Sequence, residues 1–458
     1  MLRPLTVRGL TVPNRIVMAP MTREMSVGRV PGRDVADYYS RRAAHDVGLI
    51  ITEGVGIDDR GSVDVPGLSV LHGEAPLAGW RTVVESVHKA GGRIMPQLWH
   101  QGVMRDAASS TDPLIGPRRP SGILGPIGKV SLEPDQVARL TADTKPMSES
   151  DIADVIAAYG RSAANAAALG FDGIALHGGH GYLIDSFLWA GTNRRADRWG
   201  GDRRARTLFV VEVVRAIRRA IGDDLPILLR FSQFKMQDYN ACLAETPGEL
   251  GEILGPIADA GVDIFDGSQR YFDTPTFEGS PLNLGGWAKK LTGRIGMCVG
   301  GVGLDQGKRD HHIDSGSGSV DNIDKLLARF ERGEFDLVGV GRSLLNDPEW
   351  AAKAIRGEPL LPFDADNLGR LTWPARQRRK AKTLPAVLIG WKAGSRSVSC
   401  RRAMPVRSMR FAGSSSRVCG HSIARSISSV ATRSTSLMTI PPTGPSIAAR
   451  SMRTVTSG

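Results

Sequence analysis

The chain has 458 residues, with 59 Lys+Arg against 47 Asp+Glu, four cysteines and 41% hydrophobic content, a length that allows about three ordinary domains or one large barrel with additions. The formal excess of +12 is uneven: residues 375–458 carry 16 Lys+Arg and no acidic residue, leaving 43 basic against 47 acidic residues before them. A slightly acidic body offers no clustered positive groove to track phosphates, so nucleic acid is not expected as a partner.

Cys242, Cys298, Cys400 and Cys419 stand without C-x-x-C spacing. They are too sparse for a disulfide framework, which points to a reducing compartment. The opening M-L-R-P-L-T-V-R-G-L lacks the apolar run of a signal peptide, and no stretch reaches the roughly 18 apolar residues of a membrane helix. A cytoplasmic protein with no membrane partner is expected; the oligomeric state is not legible.

In chain order, apolar runs bounded by Gly, Pro or Asn predict strands at Arg15–Pro20, Gly48–Glu53, Arg93–Trp99, Phe171–His177, Pro226–Ser232, Val262–Gly267, Arg294–Gly300 and Phe335–Gly341. Helical patterns separate them. One starts at Ser148 with Asp151 and runs to Gly170; another starts at Thr246-Pro247-Gly248-Glu249 and carries the stripe Leu250, Ile253, Leu254, Ile257. Eight strand–helix units in about 350 residues fit an α/β fold, a closed (β/α)8 barrel (TIM barrel) over residues 1–372 with an N-terminal hairpin, better than an open sheet. The Pro-, Gly- and Ser-rich segment 101–146 after the third strand is too long for an ordinary connection and predicts a lid or small subdomain over the barrel mouth. Tyr271, Phe272 and Phe277 either line a pocket for a flat ligand or pack beneath their loop.

Chemistry in such a barrel sits at the C-terminal strand ends. The last two strands close on Gly300-Gly301-Val302-Gly303 and Gly341-Arg342, turns that let backbone N–H groups approach a phosphate, with Arg342 as a bidentate donor. The fourth closes on His177-Gly178-Gly179-His180-Gly181-Tyr182. Two imidazoles there can converge on one oxygen, and the phenol can offer a proton; no third His or Cys follows at a zinc-site spacing, so no metal is expected.

These residues, with P-L-T-V-R-G-L-T-V-P-N-R-I-V-M-A-P-M-T-R near the start, Ile50-Ile51-Thr52-Glu53-Gly54, Gln97-Leu98-Trp99-His100, His177–Leu188, and Asn193-x-Arg195-x-Asp197-x-x-Gly200-Gly201, resemble the old yellow enzyme family of FMN-dependent ene-reductases over residues 2 to about 370. The resemblance implies a (β/α)8 barrel binding FMN non-covalently. It implies Pro20, Met21 and Thr22 along the flavin edge, Gly54 close to the ring, Gln97 on the pyrimidine portion and Arg230 by N1 and O2. Gly300, Gly301, Gly341 and Arg342 would hold the phosphate. His177 and His180 would bind a carbonyl or nitro oxygen of an α,β-unsaturated substrate, and Tyr182 would be the proton donor. NADH or NADPH would deliver a hydride to the flavin, which passes it to the alkene of the small-molecule enone.

Three features depart from that pattern: Gly178-Gly179 after the first His, Trp199 where Tyr is usual, and the run Arg230–Tyr239, which leaves substrate preference open. Two rival functions stand beside the leading one. One is a flavin-dependent amine or alcohol dehydrogenase or demethylase on the same barrel; the other is an inactive barrel whose basic tail binds nucleic acid. Residues 373–458 are rich in Arg and Ser and read either as a disordered arm or as the product of a shifted reading frame. The second is preferred because the resemblance stops near the same place.

Overall fold

The structure, a computed structural model, describes residues 1–130, 132–304 and 321–372. The expectations for the segment 373–458 lie outside the described residues.

Eight parallel strands close into a barrel: β3 (Ile16–Met18), β4 (Leu49–Gly56), β5 (Ile94–Trp99), β6 (Ile174–His177), β7 (Ile227–Ser232), β8 (Ile264–Ser268), β9 (Ile295–Val299) and β10 (Leu337–Val340), with β10 pairing back onto β3. All eight predicted strands are present. They were legible because a parallel strand covered on both faces begins as a continuous apolar run, as Leu49-Ile50-Ile51 does in β4, a strand buried along its whole length although Thr52 and Glu53 follow that run. An antiparallel hairpin, β1 (Leu5–Val7) with β2 (Leu10–Val12), precedes the barrel. Leu10 and Val12 bury together with Val17, Leu49, Ile51, Met95, Ala175, Leu228, Ile264, Met297 and Leu337, so the hairpin plugs the N-terminal end of the barrel interior. Gly9 N–H donates to the Asp224 carbonyl at 2.8 Å, and Arg8 Nε to Asp263 Oδ1 at 2.7 Å, which tie the plug down.

The flanking helices begin where local chemistry says they should. In the helix Glu149–Ala168, Ser148 Oγ accepts from Asp151 N–H while Asp151 accepts from Ser148 N–H, a complete capping box. In the helix Pro247–Asp259, Thr246 caps Glu249 N–H, but the Glu249 carboxylate accepts from Glu245 N–H, one residue earlier than a capping box requires. Val103, Met104, Leu124 and Leu140 of the long segment after β5 form a cluster against Tyr182 and Met236, which seats that segment on the loops following β6 and β7. Arg195 holds it from the other side: its Nη1 donates to the carbonyls of Pro120 and Met147, both at 2.6 Å. Trp199 is buried and its indole N–H donates to Glu149. Among the described residues no helix is long and apolar enough to cross a membrane.

Candidate active site

Side chains two apart on a strand share a face. The inward residues Met95, Ala175, Leu228 and Ile264 therefore each have a polar partner one layer nearer the C-terminal mouth: Gln97, His177, Arg230 and Asp266. Register places His177 beside Arg230, and Arg230 beside Asp266. Arg230 Nε donates to Asp266 Oδ2 at 2.6 Å, with side-chain exposures of 7% and 0%. Burial pushes the Asp266 carboxyl above the usual range, and the Arg230 guanidinium restrains that rise.

The His177 ring of this layer and the His180 ring beyond it lie 5.0 Å apart and nearly perpendicular, and the Tyr182 ring is 4.8 Å from His177. Trp99 stacks on His177 at 5.9 Å and meets Tyr182 edge-on at 4.9 Å. Burial, aided by the Arg230 charge, lowers His177 to about 3; His180 is held well below its ordinary value by burial and by His177. Both imidazoles are therefore neutral around pH 7, each with one N–H. Burial raises the Tyr182 phenol, which stays protonated. His180 Nε2 and Ser268 Oγ are 2.8 Å apart, a partner the sequence did not reveal because Ser268 closes a strand 88 residues later.

The other expected residues fall into two groups. Gly300 (φ +122°) and Gly301 (φ +65°) occupy backbone that favours glycine, and Ser343 Oγ, on the helix Arg342–Asn346, donates to the Val302 carbonyl at 2.6 Å. The turns after β9 and β10 thus lie side by side. Met21 Sδ lies 3.6 Å from where a Cβ on Gly341 would sit, and Ala19 N–H donates to the Val340 carbonyl, which brings the Pro20, Met21 and Thr22 segment next to them. Pro20 and Met21 are half-buried, and Thr22 is exposed. That segment is held by a residue the sequence reading passed over: Glu53 accepts from Arg23 N–H at 2.8 Å and Glu24 N–H at 3.3 Å, and burial pushes its carboxyl up to about 7. Gly54 faces Trp99; a Cβ there would sit 2.5 Å from Trp99 Cε3. In the loop after β8, Phe272 and Phe277 are buried beneath their own backbone, while Tyr271 lies against Gly301.

A flat heterocycle with carbonyl and ring-nitrogen acceptors suits this mouth on one further observation. Gln97 Nε2 and Arg230 Nη2 are buried donors without a partner in the protein, an arrangement that costs about 1–3 kcal/mol per group when nothing meets it. Among the described residues no group of three His, Cys, Asp or Glu side chains is placed to hold a metal ion.

A family model described as NADH:flavin oxidoreductase / NADH oxidase matches residues 1–274. The NADH oxidase of Thermoanaerobacter brockii is 31% identical over 356 residues, covering 76% of this chain and 50% of the relative. Chanoclavine-I aldehyde reductase of Penicillium roqueforti is 29% identical over 388 residues, covering 79% and 90%. Among solved structures, morphinone reductase superposes with a TM-score of 0.65 at 25% identity, over 80% of this chain and 92% of that one. The chain spans about half the length of several of the curated relatives it matches.

Proposed function

Because the chain belongs to the NADH:flavin oxidoreductase / NADH oxidase family, the old yellow enzyme group of FMN-dependent barrels, we propose that it uses NADH or NADPH to reduce the activated C=C bond of α,β-unsaturated carbonyl or nitro compounds. The observation that carries this reading is the perpendicular pair of neutral imidazoles with a protonated phenol 4.8 Å from His177, set beside the unmet donors of Gln97 and Arg230.

When bound, FMN supplies a two-electron hydride carrier between the nicotinamide and the alkene. Gln97 and Arg230, whose buried donors have no partner in the protein, would hold its pyrimidine edge, where a fixed guanidinium would favour negative charge. Pro20, Met21, Thr22 and Gly54 would line its ring, while Gly300, Gly301, Gly341 and Arg342 would hold its phosphate. The N–H groups of His177 and His180 bind the substrate oxygen and stabilise the enolate-like charge that develops on it. Neutral imidazoles suit this task because they bind that oxygen without holding a positive charge in a buried site. Tyr182 gives its phenolic proton to the α-carbon, and the phenolate is then reprotonated from solvent. Trp99 packs against both His177 and Tyr182 and keeps water from their faces.

Replacing His177 and His180 together by Ala tests the assignment. Enone turnover should fall by about 10²–10³ or more, the loss expected of an oxyanion donor, while FMN remains bound. Unchanged enone kinetics would remove the two histidines from the reaction.

A further inference from the structure

The loop bearing His180 and Tyr182 is held from beneath by an ion pair that the reaction above does not use. His180 has φ of +62°, a backbone conformation that a non-glycine residue keeps only where its surroundings over-determine it. Its N–H donates to Ser232 Oγ at 2.8 Å and its carbonyl accepts from Met236 N–H at 3.1 Å. The next N–H, of Gly181, donates to Asp185 Oδ2 at 2.7 Å. The other oxygen of that carboxylate accepts from Lys235 Nζ at 2.8 Å, and both side chains are entirely buried. Burial alone raises the Asp185 carboxyl above its ordinary range, and the Lys235 ammonium opposes that rise. Lys235 also pairs with His180 through the backbone as an isolated bridge. It lies in the run 230–239 that the sequence singled out as leaving substrate preference open.

We propose that Asp185 and Lys235 are positioning residues for the substrate-oxygen site: the ammonium orients the carboxylate, the carboxylate fixes the Gly181 N–H, and this holds His180 in its left-handed backbone with Tyr182 aimed at the α-carbon. The inference rests on the reading that His180 and Tyr182 act on substrate. A single neutralisation strands a buried charge and destabilises the fold at large, so the informative variants remove both charges. Asp185→Asn with Lys235→Met keeps an acceptor for the Gly181 N–H. Asp185→Leu with Lys235→Met removes it.

Both variants are loaded with FMN and compared by amide hydrogen exchange and by stopped-flow reoxidation with cyclohexenone. The Leu/Met pair should exchange about tenfold or more faster than the Asn/Met pair at residues 179–183 alone. Its reoxidation should be slower by about 10–10², the loss expected when a reacting group is displaced by about 1 Å. The Asn/Met pair, which keeps the acceptor but lacks the ammonium that orients it, should fall between the Leu/Met pair and wild type on both measures. Equal behaviour of the two variants would overturn the proposal, and so would a loss of protection spread through the whole barrel. If the wild-type protein itself reduces no enone, the functional reading fails, while the exchange comparison still decides whether the carboxylate anchors the loop.

Discussion

Replacing Arg230 by Met separates what the guanidinium does for the fold from what it does for the cofactor site. Asp266 is entirely buried and would lose its 2.6 Å partner; stripping one member from a buried pair costs about 3–5 kcal/mol. With an unfolding entropy of about 2.1 cal/mol/K per residue over about 370 residues, the melting temperature should fall by about 4–6 °C. The pH dependence has a definite sign. Burial already raises the Asp266 carboxyl and Arg230 restrains it, so without Arg230 the carboxyl rises further. A carboxyl whose folded value lies above its unfolded one loses stability as pH climbs between the two, because the unfolded chain releases its proton first. The deficit should therefore be larger at pH 8 than at pH 5. Adding Asp266→Asn should recover most of the melting temperature at pH 8 while leaving FMN affinity weakened. Thermal melts of the wild-type, single- and double-variant apoproteins at both pH values measure the stability differences, and a fluorescence titration with FMN measures the affinity. A deficit under about 1 kcal/mol, or one that grows on acidification, would refute the description of the pair as a desolvated ion pair.

Three further expectations follow from the same site. Tyr182→Phe keeps the ring against Trp99 and His177, so reduction by the nicotinamide should survive with modest change while enone reoxidation slows by about 10²–10⁴; equal slowing of both half-reactions in stopped-flow traces would exclude Tyr182 as the acid. Gly54→Ala forces a methyl into the Trp99 ring, which cannot retreat because Val63, Leu68 and Val70 pack around it; a loss of about 1–3 kcal/mol in denaturant unfolding is expected, and a neutral outcome would show that Trp99 is free to move. Enone reoxidation should show no limb from His177, His180 or Tyr182 across about pH 5–9, because burial lowers His177 to about 3, depresses His180 and raises the Tyr182 phenol; since the Glu53 carboxyl is pushed up to about 7, a limb near the ordinary histidine value of about 6.5 that persists in Glu53→Gln would show that one imidazole is charged in the working site.

The barrel was legible because burial on both faces leaves unbroken apolar runs such as Leu49–Ile51 at the start of β4, and because the site residues sit two positions beyond apolar ones on the same face, as Gln97 does beyond Met95. The hairpin's office as a plug was not legible, since it depends on the barrel bottom being open at that point. The partners of the site residues were also hidden. Asp266 for Arg230, Ser268 for His180 and Lys235 for Asp185 lie 36, 88 and 50 residues away; strand register brings the first pair together, and the segments that follow β6 and β7 bring the others. Gly54 was expected near the flavin ring from the resemblance alone; the packing of Trp99 against it, which leaves no room for a side chain, was not legible.

The central claim is tested most directly by one anaerobic titration of the purified protein, followed by visible absorption. The account predicts the yellow bands of oxidised FMN, their bleaching by one equivalent of NADH or NADPH, and their return on adding one equivalent of cyclohexenone with formation of cyclohexanone. A colourless protein that takes up no FMN, or a bleached flavin that cyclohexenone fails to restore, would contradict it.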